Sequence, residues 1–142
     1  MNLPQAVIVH GRADADAALA AGRPITLLSA PGAAGYAGCL WWQVLATQAR
    51  AAHPELAVVD LLDCGPLSGC ALAALRIGLR GLVLTPEAPG RDRVAAIAAA
   101  EGALLLAEAP DALDLAAPGA ARRLHDWLQA RPVVGDTRGG LG

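Results

Sequence analysis

Residues 24–49 read PITLLSAPGAAGYAGCLWWQVLATQA, without one charged side chain. Three segments follow one another here: an apolar run at Ile25–Ser29, a loop with Gly32, Gly35 and Gly38 at three-residue spacing, and an apolar helix pattern through Ala52. A strand that feeds a small-residue turn into a helix is the building unit of parallel α/β domains. The uncharged length also raises the question of a membrane span. Pro31, the glycines at mid-length, Gln43 and Gln48 argue against one, because a turn signal does not sit at mid-depth in lipid.

Outside this stretch the same alternation repeats. Strand patterns fall at Ala6–His10, Ala57–Asp63, Gly81–Thr85 and Ala103–Ala107, each short and apolar on both faces, as buried parallel strands are. Helix patterns fall at Ala13–Ala21, Gly35–Ala52, Leu67–Gly78, Arg91–Glu101 and Pro118–Ala130. Glycines close several of them, and His53-Pro54 stops the second. Five βα units in series predict one α/β domain over residues 1–134, three-layered, with a mainly parallel sheet of four or five strands in the Rossmann or flavodoxin manner. A half-barrel of consecutive βα units is the alternative, since periodicity does not fix strand order. The first strand reads as an edge strand because it is short and near a terminus. Pro132 reads as the end of the last helix, Val133-Val134 as packing back on the body, and residues 135–142 (GDTRGGLG) as a flexible tail.

Composition removes whole classes of chemistry. All eleven basic residues are Arg, so lysine-bound pyridoxal phosphate, Schiff-base aldol chemistry and a Walker A loop are excluded. The net charge of −2 and the scattered Arg residues give no basic stripe, which excludes a nucleic-acid footprint. Cys39, Cys64 and Cys70 are odd in number and lack metal-ligand spacing, so no metal site is expected and the thiols read as reduced. With no basic and apolar leader at the N-terminus, the expected location is cytoplasmic.

The strand ends carry the candidate chemistry: His10, Ser29, Asp63 with Cys64, Thr85 with Glu87, and Glu108. In an open parallel sheet these ends share one edge, outside which ligands bind. His10, Asp63, Cys64 and Glu87 are the candidate acid, base or nucleophilic groups. A Cys at a strand end before a helix can carry a lowered pKa, with Cys70 as resolving partner and His10 or His53 as base. Ser29, Thr85 and the three loop glycines are the candidate ligand contacts. Gly32 suits a type II turn after Pro31, and a bare Gly35 would let backbone N–H groups approach an anion at a helix start. Each has a plainer structural reading: turn formers and caps for Ser29, Thr85 and Asp63, close helix packing for the glycines, a small core residue for Cys64.

Two further residues stand out. Asp60 lies in mid-strand on the face of Val58 and Leu62, where a buried carboxylate needs a partner such as an Arg. Trp41 falls on the stripe of Leu40, Val44 and Leu45 and reads as core. Trp42 then reads as a flanking aromatic, either at a second subunit or ligand or within a very wide buried face. With 55 % hydrophobic and 17 % charged residues in a chain of this length, surplus apolar surface predicts a homodimer through the second helix or an edge strand.

The blocks TLLSAPGAAGYAG, VLATQARAAHPELAVVDLLDCG and ALAALRIGLRGLVL resemble small α/β proteins of GC-rich bacteria that share a strand–SAPGAAGYAG–helix block and a later L-D-C-G turn. The resemblance spans roughly residues 25–106 and implies a cytosolic α/β protein. That group has no assigned activity, so no catalytic residue carries over. Three functions follow as expectations: a binding module for a small anionic metabolite, an enzyme independent of lysine cofactors, and an oligomeric structural or regulatory subunit.

Overall fold

Ile25–Leu28 is apolar or uncharged throughout because neither of its faces reaches water: all four residues are buried. A computed structural model describes residues 2–130 of the chain. The elements in order are β1 (Ala6–Ile8), α1 (Arg12–Leu19), β2 (Ile25–Leu28), α2 (Ala33–Tyr36), α3 (Cys39–Ala52) and β3 (Val58–Asp63). They continue with α4 (Ser68–Arg76), β4 (Gly81–Val83), α5 (Arg91–Ala100), β5 (Leu104–Leu106), β6 (Ala112–Asp114) and α6 (Ala120–Gln129). The expected domain limit at residue 134, the Val133-Val134 packing and the tail at 135–142 lie outside the described residues.

The class is the expected one: α/β, with a single parallel sheet and helices on it. The sheet has six strands rather than four or five, in the order β5-β4-β3-β2-β1-β6. Residues 112–114 form the extra strand, pairing Ala6 with Ala112 and Ile8 with Asp114. β1 is therefore an inner strand between β2 and β6, not an edge. The predicted second helix is split: Gly38, at φ 87°, ends the short α2 and starts α3.

From β1 to β5 the chain steps one strand at a time in one direction, as in the consecutive-unit alternative. Right-handed crossovers in a constant direction place their helices on one face. The packing agrees, since α1 contacts α3, α3 contacts α4, and α4 contacts α5. Val7, Leu27, Leu62, Leu82 and Leu113 point to that face and join Ala15, Leu45, Trp42, Leu75 and Val94 of the helices in one core. The strand registers put Ile8, Leu28, Leu61 and Ala112 on the opposite face. There Leu28, Leu61 and Val83 are at most 2 % exposed, packed among the described residues only by other strand side chains and Leu3.

That second cluster needs a curved sheet. β5 and β6 end the strand order on opposite sides, yet only residues 107–111 join them. A flat sheet would part them by five strand spacings, about 24 Å. The six steps from Leu106 to Ala112 span at most about 22 Å when fully extended. The sheet must curl, with its strand-only face inside the curve. β5 and β6 are not paired, so the curl stays open.

Two residues hold particular positions. Asp60 is buried on the helix side and receives the Arg50 guanidinium from the last turn of α3, 2.5 Å away. Arg50 also donates to the Val58 carbonyl at 3.0 Å. The required Arg partner is thus present, although Asp60 Oδ1 has no hydrogen bond. Gly81 faces β3 so closely that a Cβ would lie 2.2 Å from the Asp60 carbonyl oxygen.

Among the described residues, no helix is long and apolar enough to cross a membrane.

Candidate functional site

A parallel sheet offers its ligands the carboxyl ends of its strands. Here β6 pairs with β1, so the carboxyl ends of these two strands stand side by side. His10 follows β1 and Asp114 ends β6. His10 Nε2 lies 2.7 Å from Asp114 Oδ1. An ionised carboxylate only accepts, so the imidazole Nε2–H donates. Asp114 Oδ1 also accepts the Ala116 N–H at 2.9 Å, and the His10 backbone N–H is donated to Asp14 Oδ2 at 2.8 Å. Partial desolvation works to raise the Asp114 pKa, but the hydrogen bonds from His10 and Ala116 and the His10 charge outweigh it. The net position is below the usual aspartate value.

His10 forms part of the wall of an open cavity of about 270 Å³. The remaining walls are Val9 and Ala30 from the strand ends, Ala33, Tyr36 and Ala37 of the α2 segment, and Trp41 of α3. The polar side-chain groups among the lining residues are the His10 imidazole, the Tyr36 hydroxyl and the Trp41 indole N–H. Tyr36 is 72 % exposed. The loop forms part of the cavity wall through Ala33, Tyr36 and Ala37.

Part of the glycine loop is engaged in local structure. The helix it introduces has four residues, too few to sum a useful dipole. The N–H groups of Ala33, Gly35 and Ala37 are spent on the carbonyls of Ala30, Gly32 and Ala33. A Cβ at Gly35 would meet the Leu67 side chain at 2.8 Å, so this glycine makes room for the neighbouring chain. Gly32, at φ 67°, serves as the left-handed start of α2.

Two of the other strand-end candidates, Ser29 and Asp63, have structural tasks. Ser29 is fully buried. Its Oγ accepts the Asp63 N–H at 2.9 Å and donates to the Ala30 carbonyl at 3.2 Å, fastening β2 to β3. Asp63 Oδ1 accepts the Gly65 N–H at 2.8 Å, closing the turn after β3. The Thr85 N–H is donated to the Gly65 carbonyl at 2.9 Å, while its Oγ1 is buried without a partner. Glu87 and Glu108 are exposed. None of these lines the His10 cavity.

Cys64 does not have the setting of a nucleophile. Its side chain is fully buried in the helix-side core. Burial first, then the neighbouring Cys70, Asp63 and Cys39, push its thiol up to about 12. At neutral pH it is a protonated, inaccessible thiol, the small core residue of the plainer reading.

Trp42 takes the buried one of its two readings, and Trp41 departs from its expected place in the core. Trp42 is fully buried in the helix-side core, whereas Trp41 is only partly buried and lines the cavity. Their ring centroids are 5.7 Å apart. Helix α3 turns the face with Leu45, Ala46 and Ala49 inward, and Trp42 belongs to it. Leu40 and Val44, assigned to the core stripe by sequence, are exposed. A dimer contact through Trp42 is thereby excluded.

Asp114, Asp14, Tyr36 and Trp41 were missed as site residues. Asp114 lies in a three-residue strand that only its pairing with β1 defines. Tyr36, the sole tyrosine of the chain, sits inside the loop already singled out and is the one signal available beforehand. No protein-family model matches the chain, and no curated protein matches it in sequence.

Proposed function

We propose that this chain binds a small, largely apolar molecule in the cavity at the ends of β1 and β2, with one polar group of that molecule hydrogen-bonded to His10. One observation carries the reading: a partly exposed imidazole, fixed by Asp114 of the neighbouring strand end, stands in the wall of a small concavity whose other lining residues are Val9, Ala30, Ala33, Tyr36, Ala37 and Trp41. Such pockets hold ligands by apolar contact and fix orientation with a few placed polar groups. The charge balance favours a neutral group over the anion expected from the glycine loop. Asp14 accepts the His10 backbone N–H and Asp114 faces its imidazole, and the N–H groups of Ala33, Gly35 and Ala37 are already donated.

Phenol and benzoate test this as ring-matched neutral and anionic probes, followed by amide and indole NMR shifts. Phenol in the low millimolar range should move Ala30, Ala33 and the Trp41 indole, and benzoate should move them less. His10→Ala should abolish the phenol response. Absence of any phenol response at these positions overturns the reading.

A second reading is acid–base catalysis, favoured by the His10–Asp114 geometry. A carboxylate that accepts from Nε2–H leaves Nδ1 as the basic nitrogen, the arrangement a general base requires. The tautomer is measurable by ¹⁵N NMR of the ring. The Nε2–H form supports this reading, and the Nδ1–H form removes it.

A further inference from the structure

We infer that the site takes a medium-length alkyl chain with a neutral hydrogen-bonding head: the head at His10, the chain laid along α3. This inference rests on the proposed binding at the His10 cavity. A second concavity, about 510 Å³, runs beside α3 and is lined by Ala37, Leu40, Trp41, Val44 and Leu45, with Arg12 and Gln48 at its rim. Ala37 and Trp41 line both concavities, so the two adjoin at these residues, and a chain would pass from one to the other across them.

The trough has an end. Arg12 of α1 donates through Nη1 to Gln48 Oε1 at 3.1 Å, bridging α1 to α3. The Arg12 Nε–H is donated to Asp16 at 3.0 Å. The cation at this end is thus already neutralised and hydrogen-bonded, which places the ligand's polar group at the other end, beside His10. From Leu40 to Gln48 the helix rises about 12 Å, the length of a medium alkyl chain. Leu40 and Val44 are 62 % and 47 % exposed along this path. An alkyl chain laid there would cover both.

A second copy of the chain fits this surface less well. A stable protein interface covers about 800 Å² on each partner. Here the large exposed apolar side chains beside the concavity are Tyr36, Leu40 and Val44.

The test compares 1-octanol with 1-butanol on the intact protein, by tryptophan fluorescence and NMR titration, in wild type and in the double variant Leu40→Gln/Val44→Gln. Each fully buried methylene is worth about fourfold in affinity. In a half-open trough octanol should bind wild type at least about tenfold tighter than butanol. In the variant that ratio should fall to about threefold or less, with the far-ultraviolet spectrum unchanged. An unchanged ratio in the variant overturns the inference. If neither alcohol binds but phenol does, the chain-binding trough is overturned and the His10 cavity stands. If none of the three binds, both readings fall. Doubling of the wild-type mass in light scattering, abolished by the same double variant, would assign the trough to a second copy and overturn the inference.

Discussion

His10 and Asp114 are separated by 104 positions in the chain and by 2.7 Å in space. Their contact exists because β6 returns beside β1 after the chain has wound away through β5. It joins the ends of two strands at the place where the site is built.

The contact sets the titration of Asp114. Its folded pKa is depressed below the unfolded value, so its contribution to stability is present above the ordinary carboxylate range. That contribution is lost as pH falls through the depressed value. His10→Ala removes one hydrogen bond and should raise the Asp114 pKa toward the ordinary value. Carboxyl ¹³C titration of wild type and variant measures the shift directly. A wild-type Asp114 that titrates at or above the ordinary aspartate value contradicts the contact.

Burial predicts the order of thiol reactivity. Cys64 is fully buried with its pKa pushed up to about 12, while Cys39 and Cys70 are partly exposed. Native protein treated with iodoacetamide at neutral pH should be modified at Cys39 and Cys70 well before Cys64. In denaturant the three should react alike. Peptide mass mapping over time reads the order, and early loss of Cys64 would contradict its placement.

The Arg50–Asp60 pair should behave as a coupled unit. Arg50→Ala leaves a buried carboxylate without its donor and should cost about 1–3 kcal/mol of stability. Asp60→Leu in the same chain should recover part of that loss, because it removes the stranded charge along with the need for a partner. Urea unfolding of the two single variants and the double variant measures the coupling. Additive losses would contradict it.

Gly81→Ala should destabilise the fold by about 3 kcal/mol. The added Cβ would overlap the Asp60 carbonyl oxygen of the neighbouring strand, which is backbone and cannot swing aside. Gly11→Ala is the control, since a Cβ there meets nothing within 4 Å. Equal midpoints for the two variants would contradict the close approach of β3 and β4.

Apolar runs and glycine stops made five of the six strands legible in the sequence, because buried parallel strands carry their signal in their own residues. β6 carries almost none: Ala112–Asp114 is three residues long and becomes a strand through β1. Asp114 was therefore invisible, and with it the hydrogen-bond partner of His10. The need of Asp60 for an arginine was readable because it follows from charge and burial alone. The Trp41/Trp42 assignment was not. A break at Gly38 resets where α3 begins and which face it turns inward, and a continuous helix pattern does not reveal that phase. Strand order escaped the sequence as well, because it depends on which edges the curled sheet leaves unpaired.

The most direct measurement is an intermolecular NOE experiment on ¹³C,¹⁵N-labelled protein with unlabelled phenol. Contacts from the phenol ring to the His10 imidazole and the Trp41 ring, both absent in His10→Ala, are the predicted result. Phenol contacts confined to other surfaces, or none to His10 at saturating phenol, would contradict the assignment of the β1–β6 strand ends as the binding site.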